Sequence, residues 1–375
     1  MLKIAIAPDK FKGSLSGLEF CEAVDKGLRK HAPNLEIVNL PLADGGDGTV
    51  EVLKYYLNGE LITLPVCDPL MREVRASYLY SEEKKTAYIE MAEASGIRLL
   101  SDEECNPLYT STYGTGQLIV DALDRGVKHI ILGIGGSATN DAGIGMARAL
   151  GYRFFDNDMQ ELKGVGKDLL DLDSIDTRLV NPKIKKVKFD IACDVDNPLY
   201  GANGAAFIYS SQKGASPETV EELDRGLVNF NDLIKKQFQK NLQKIPGAGA
   251  AGGLGAGCIL FLNAKLNSGI ELIKQEAQFN DKIKEVDWII TGEGKLDTQT
   301  FSGKVIRGVM DSITNQKLAL FCGQVDLNED ELKQLKIDHL TQISSYAKDV
   351  NDSIQNSGKY LEKAAEEFAR LLHIS

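Results

Sequence analysis

The 375-residue sequence predicts an α/β fold in two domains, one of them made from both ends of the chain. Three features carry that expectation. The length suits about two domains. Strand and helix patterns alternate near both ends, as a parallel sheet covered by helices requires. The middle differs in texture, with a hairpin pattern and a glycine-alanine tract.

Lys3–Ala7 is a short apolar run that reads as the first strand. The helix after it begins at Ser16, where Ser16 and Glu19 stand at capping-box spacing, and Leu18, Cys21, Val24 and Leu28 share one face. Leu35–Leu40 is the next strand and Gly48–Leu57 the next helix. Beyond Pro65, Val74–Tyr80 and Thr86–Met91 flank a polar Ser81–Lys85 tip, the pattern of an antiparallel hairpin. Ile130–Leu132 and Phe189–Ala192 are further strands. Helical spacing marks Gly116–Arg125, Ala142–Leu150 and Ser216–Phe238, the last opened by Ser216-Pro217. Gly247–Gly257 interrupts the middle as a glycine-alanine segment. Simple alternation then resumes with strand Trp288–Thr291, a helix near Lys304–Ile313, and strands Leu318–Cys322 and Leu340–Ile343. A final amphipathic helix carries Leu361, Ala364, Ala365, Phe368 and Leu372. These patterns place a Rossmann-like parallel-sheet domain on residues 1–65 and 284–375, and an inserted mixed-sheet domain on 66–283. A cleft between the two is the default ligand site.

The composition narrows the function. A net charge of −11 argues against nucleic acid as a partner, because phosphate backbones need a basic face. It leaves room for a small anionic ligand held by a few lysines and backbone N–H groups. No run approaches the roughly 18 apolar residues of a membrane span, so no membrane partner is expected. The six cysteines are dispersed, which suits reduced thiols in a cytoplasmic protein, and the four histidines lie too far apart to suggest a zinc site.

One stretch, His129–Asp156, reads literally as a dinucleotide fingerprint. Gly133-x-Gly135-x-x-Ala138 follows an apolar run, precedes a helical pattern, and ends on an acid about 20 residues on. Two features sit badly with NAD. The turn continues as polar Ser137–Asp141 where a dinucleotide fold packs apolar helix, and Asp141 would repel a pyrophosphate at the helix N-terminus. A turn for another phosphate, or merely a tight turn with Asp141 capping its own helix, stays open beside NAD. The second match, Gly247–Gly252, has no strand before it; close backbone packing or a ligand-facing wall are its readings. A Walker loop is absent, since Val305 follows Gly303-Lys304.

Polar segments follow four predicted strands: Asp9–Ser14, Ala43–Thr49, Cys193–Pro198 and Thr291–Asp297. Each acid beside a glycine could be a turn former. Together they form the equipment of phosphoryl transfer, which needs cations on the transferring group, carboxylates for Mg²⁺, and a carboxylate to take a hydroxyl proton. Hydride transfer commonly uses a proton donor such as His, and none of the four His lies in these segments.

At this point the sequence resembles the bacterial-type glycerate kinases, over nearly its whole length. The resemblance is carried by Phe11–Ser16, Ala43–Thr49, Ile89–Gly96, Thr112–Gly116, Gly133–Gly145, Ala192–Leu199, Gln212–Ala215, Pro246–Gly255 and Thr291–Thr300. It implies ATP-dependent phosphorylation of D-glycerate with Mg²⁺ in a two-domain enzyme, 2-phosphoglycerate being the expected product. Lys10 stands where many members carry Ser, Lys295 where Arg is common, and Ser210-Ser211 where Gly-Pro is frequent. An NAD-dependent oxidoreductase of a small hydroxy acid and a non-catalytic sugar-acid sensor are the competing readings.

The expected catalytic residues are Asp194, Lys12, Asp297 and Asp44, with Ser14 beside Lys12 to hold phosphate or the glycerate carboxylate. Gly135, Gly136, Ser137, Thr139 and Asn140, with Gly292, Glu293 and Gly294, are expected to hold the nucleotide; Asp194 and Asp47 are the expected metal carboxylates. Lys304 is a weaker choice, and Lys213 reads equally as a surface lysine. Closure over the substrates is expected, because water competes for the phosphoryl group. A monomer or homodimer fits equally.

Overall fold

The computed structural model describes residues 2–46, 48–297 and 305–372. The chain forms two compact α/β units, Met1–Tyr56 with Gly269–Ser375, and Leu57–Ser268.

The first unit carries a five-stranded sheet in the order His339–Gln342, Lys317–Cys322, Trp288–Thr291, Lys3–Ile6, Glu36–Asn39. Every pairing is parallel, with Ile4 opposite Trp288 and Ile6 opposite Ile290. The central strands are apolar on both faces, as helices on both sides demand. The chain runs outward from Lys3–Ile6 to one edge, then returns beside it at Trp288 and continues to the other. That makes the junction between these two strands the switch point at which ligands sit in open α/β sheets.

The Gly17–Arg29 helix starts where expected. Ser16 Oγ accepts the Glu19 N–H at 3.3 Å and Glu19 returns a 2.8 Å contact from the Ser16 N–H. Its buried face, Phe20, Cys21, Val24 and Leu28, lies on the C-terminal helix Ser357–Leu371. Gly27 is needed there, because a Cβ would stand 2.2 Å from the Glu362 carbonyl oxygen.

The second unit carries six strands in the order Lys265–Asn267, Lys188–Ala192, His129–Gly133, Thr86–Glu90, Glu73–Ser81, Glu60–Cys67. The first four run parallel and the last two turn antiparallel, so the sheet is mixed. The expected hairpin is present, with Ser81 opposite Thr86.

The unit boundaries fall at Tyr56/Leu57 and Ser268/Gly269, not at 65/66 and 283/284. At the first, Pro65 reads as a breaker, yet Glu60–Cys67 pairs along its length with Glu73–Tyr80 as an edge strand, where the missing N–H of Pro costs no ladder bond. At the second, the helix Gly269–Glu276 belongs to the first unit, where Lys274 Nζ donates to the Gly308 carbonyl at 3.0 Å. The Gly247–Gly257 tract is likewise not an interruption. It enters the helix Ala250–Phe261 through left-handed backbone at Ala251, Gly252 and Gly253.

Candidate active site

A parallel sheet presents all its carboxyl ends on one side, and in the first unit all five are used. A cavity of about 580 Å³ opens there. After Lys3–Ile6 come Asp9, Lys10, Phe11, Lys12 and Ser14; after Glu36–Asn39, Asp44 and Gly46; after Trp288–Thr291, Glu293, Gly294, Lys295 and Asp297. Gly323 and Gln324 follow Lys317–Cys322, and Ile343 and Ser344 follow His339–Gln342. The expected residues Lys12, Ser14, Asp44, Glu293, Gly294 and Asp297 therefore share one hollow.

Backbone geometry explains why glycines punctuate these loops. The Asp9 N–H donates to the Gly292 carbonyl at 2.9 Å, tying the two central loops together. A Cβ on Gly292 would lie 1.9 Å from the Phe321 carbonyl oxygen, so the loop passes its neighbour only as glycine. The Gly323 and Gln324 N–H groups then donate to the Glu293 and Gly294 carbonyls, both at 3.1 Å.

Some polar groups here are partly engaged. Asp44 Oδ1 accepts the Gly46 N–H at 3.0 Å, the turn-forming role weighed above. Ser14 Oγ donates to the Ile354 carbonyl at 2.9 Å and contacts Ser357 Oγ. Lys295 Nζ lies 2.9 Å from Asp326 and 3.9 Å from Asp297, and the Asp326 hydrogen bond holds its pKa above the ordinary lysine value. Lysine thus neutralises a carboxylate here as a point charge, without the two-point fork of an arginine.

The C-terminal wall of Ser344, Val350, Ser353, Ile354 and Ser357 was missed by sequence reasoning. Two signals were available: Ser344-Ser345 stands just past the strand formed around Leu340, and Ser353 and Ser357 are four residues apart. Asp47 and Lys304 lie outside the described residues.

The other expected residues belong to the second unit. Asp194 is exposed just past the Lys188–Ala192 strand. Gly135 and Gly136 are exposed, and a Cβ on Gly135 would meet nothing within 4 Å, so a ligand can reach that backbone. Ser137, Thr139 and Asn140 are buried. Lys213 is buried too, which removes the surface reading; its Nζ donates to Ser137 Oγ and to the Thr139 carbonyl, each at 2.7 Å.

The dinucleotide reading of this turn fails on geometry. The helix begins only at Ile144, and the N–H groups that would face a pyrophosphate are taken. Gly143 and Gly145 donate to Asp141 at 3.0 and 3.3 Å, so the protein's own carboxylate fills the anion position. Burial pushes the pKa of Asp141 up, while these N–H groups and Thr112 pull it down. Asp156 forms a local turn, accepting from Asp158 and Gln160. The second glycine tract packs on the first: a Cβ on Gly252 would lie 2.0 Å from the Thr139 carbonyl oxygen, and one on Gly257 2.4 Å from that of Ala142.

Among the described residues no cluster of three or more His, Cys, Asp or Glu side chains could hold a metal by itself, and no helix is long and apolar enough to cross a membrane.

A profile of the glycerate kinase family matches residues 4–373. The chain belongs to the glycerate kinase family. It is 44% identical to a glycerate kinase of Halalkalibacterium halodurans over 98% of both chains. It is 45% identical to the glycerate 2-kinase of Escherichia coli over 82% of this chain and 81% of that one. The crystal structure of a protein assigned as glycerate kinase 2 from Salmonella typhimurium LT2 superposes with a TM-score of 0.89 at 37% identity, covering 99% of this chain and 98% of that one. The phosphotransferase class expected from the loops stands, and the mixed α/β architecture is that of a glycerate kinase.

Proposed function

We propose that the chain transfers the γ-phosphoryl group of ATP to a hydroxyl of D-glycerate, with Mg²⁺, and that the product is 2-phosphoglycerate. The observation that carries this is the delivery of lysines and carboxylates by three of the five parallel strands into one cavity, in a member of this family. The volume of about 580 Å³ suits a nucleotide-sized ligand, far more than glycerate alone requires. The relative named glycerate 2-kinase favours the 2-position.

Lys12 supplies positive charge to a phosphate or to the substrate carboxylate, and Ser14 a hydroxyl beside it. Asp44 and Asp297, with Asp9 and Glu293 close by, provide oxygen donors of the kind a hard cation takes; one or two carboxylates suffice when phosphate oxygens complete the shell. Mg²⁺, when bound, screens the charge of the transferring group. Gly135, Gly136, Ser137, Thr139 and Asn140 are assigned to a phosphate, and Asp194 to taking the proton of the attacking hydroxyl.

A coupled assay for ADP release tests the reading. D-glycerate-dependent release, with phosphorus NMR assigning the product, supports it. Binding of D-glycerate without ADP release would replace it with a sensor, and NADH fluorescence quenching on binding would favour an oxidoreductase.

A further inference from the structure

The phosphate role assigned to the Gly135–Asn140 turn leaves Lys213 unexplained, and its surroundings are unusual. The Ser211–Lys213 turn ends on left-handed Gly214, where a Cβ would stand 2.0 Å from the Cys105 carbonyl oxygen. The backbone is thereby held so that the lysine points inward. An ammonium offers three donors, and two go to Ser137 Oγ and the Thr139 carbonyl. In the same turn Thr139 Oγ1 and Asn140 Nδ2 are buried without a partner. Buried polar atoms of this kind call for a polar ligand or water.

We propose that Lys213 is a positioning residue that acts through Ser137: it fixes the Gly135–Asn140 turn, orients the Ser137 hydroxyl as a donor, and supplies buried positive charge when a phosphate is bound there. With Nζ donating to Ser137 Oγ, the hydroxyl hydrogen is directed away from the lysine and can be given to a bound phosphate. The inference deepens the proposed function and rests on its assignment of a phosphate to this turn.

The charge state agrees with the geometry. Burial lowers the Lys213 pKa to about 7, opposed only by the field of Asp141, the charged group that reaches it among the described residues. Asp141 is itself occupied by Thr112, Gly143 and Gly145. Near neutral pH the free protein thus holds Lys213 partly uncharged, and an anion bound at the turn draws a proton onto it.

Calorimetry of the full chain with ADP, in two buffers of different ionisation enthalpy at pH 7, measures that proton. We expect an uptake of up to about half a proton that Lys213→Met abolishes. We also expect ADP affinity to fall about tenfold in Lys213→Met and in Ser137→Ala, with little further loss in the double variant. Equal affinity and equal uptake in Lys213→Met would overturn the inference, as would additive losses or a wild-type chain that binds no ADP. Should Lys213→Met not fold, wild-type uptake and Ser137→Ala decide by the same criteria. If turnover of D-glycerate is normal while Lys213→Met changes neither quantity, this inference falls and the proposed function stands. The reverse result, uptake through Lys213 with no phosphorylation of D-glycerate, would separate them the other way.

Discussion

Replacing Asp141 tests whether the polar turn after the His129–Gly133 strand is held by a buried carboxylate. Asp141 Oδ2 accepts the Thr112 N–H and hydroxyl, both at 2.8 Å, and the Gly145 N–H at 3.3 Å; Oδ1 accepts the Gly143 N–H at 3.0 Å. Alanine would strand four buried donors at about 1–3 kcal/mol each, offset in part by water entering the vacated space. The expected net loss is about 3–5 kcal/mol once water has re-paired part of that set. Asparagine behaves differently. Its carbonyl oxygen in the Oδ2 position keeps three contacts, and only the Gly143 N–H faces an amide donor. Losing the buried charge also relieves the cost that raises the pKa of Asp141. About 1–2 kcal/mol is expected. Urea unfolding followed by far-UV circular dichroism, at unchanged m-value, gives both numbers. Hydrogen exchange should quicken at Thr112, Gly143 and Gly145 in Asp141→Ala. An alanine variant within about 1 kcal/mol of wild type, or an asparagine variant as unstable as alanine, would refute this account.

Further outcomes are expected elsewhere. Lys12→Met should lower turnover on the order of 100-fold, and near-normal turnover would remove Lys12 from the machinery. Asp194→Asn should reduce kcat by about 100-fold or more with little change in ADP affinity; full kcat would pass the proton-accepting role to another residue. His339, packed 4.7 Å from the Phe368 ring centre, has its pKa lowered by burial. A group whose folded pKa is depressed lends stability at pH above the ordinary histidine value and loses it as the pH falls, so the Tm should drop between about pH 7.5 and about 5.5. His339→Phe cannot charge and should show a smaller drop; an equal one would contradict the assignment.

Much of the fold was legible because its cues are local. Ser16 and Glu19 announced a helix start, and Lys3–Ala7 and Trp288–Thr291 were apolar runs too short for helices. Glu60–Cys67 was not legible, since Pro65 hides an edge strand whose ladder is satisfied by residues further along the chain. The Gly247–Gly257 tract also depended on tertiary context: its glycines answer to the carbonyls of Thr139, Ala142 and Pro198, which sequence spacing does not reveal. In the cavity, acids and lysines beside glycines were readable as chemistry. The serine wall was not, because serines also serve as caps and solvated helix positions.

The sheet of the first unit imposes a schedule on synthesis. Lys3–Ile6 leaves the ribosome early, but its neighbour Trp288–Thr291 emerges only after the whole of Leu57–Ser268 has been made. At about 5–20 residues per second that wait is on the order of tens of seconds. Through that interval a short apolar strand keeps one edge open to stray pairing, whereas the intervening segment already has every strand of its own sheet. Nascent chains halted before Trp288 should therefore yield a protease-resistant core from the middle of the polypeptide and a readily cleaved N-terminal arm.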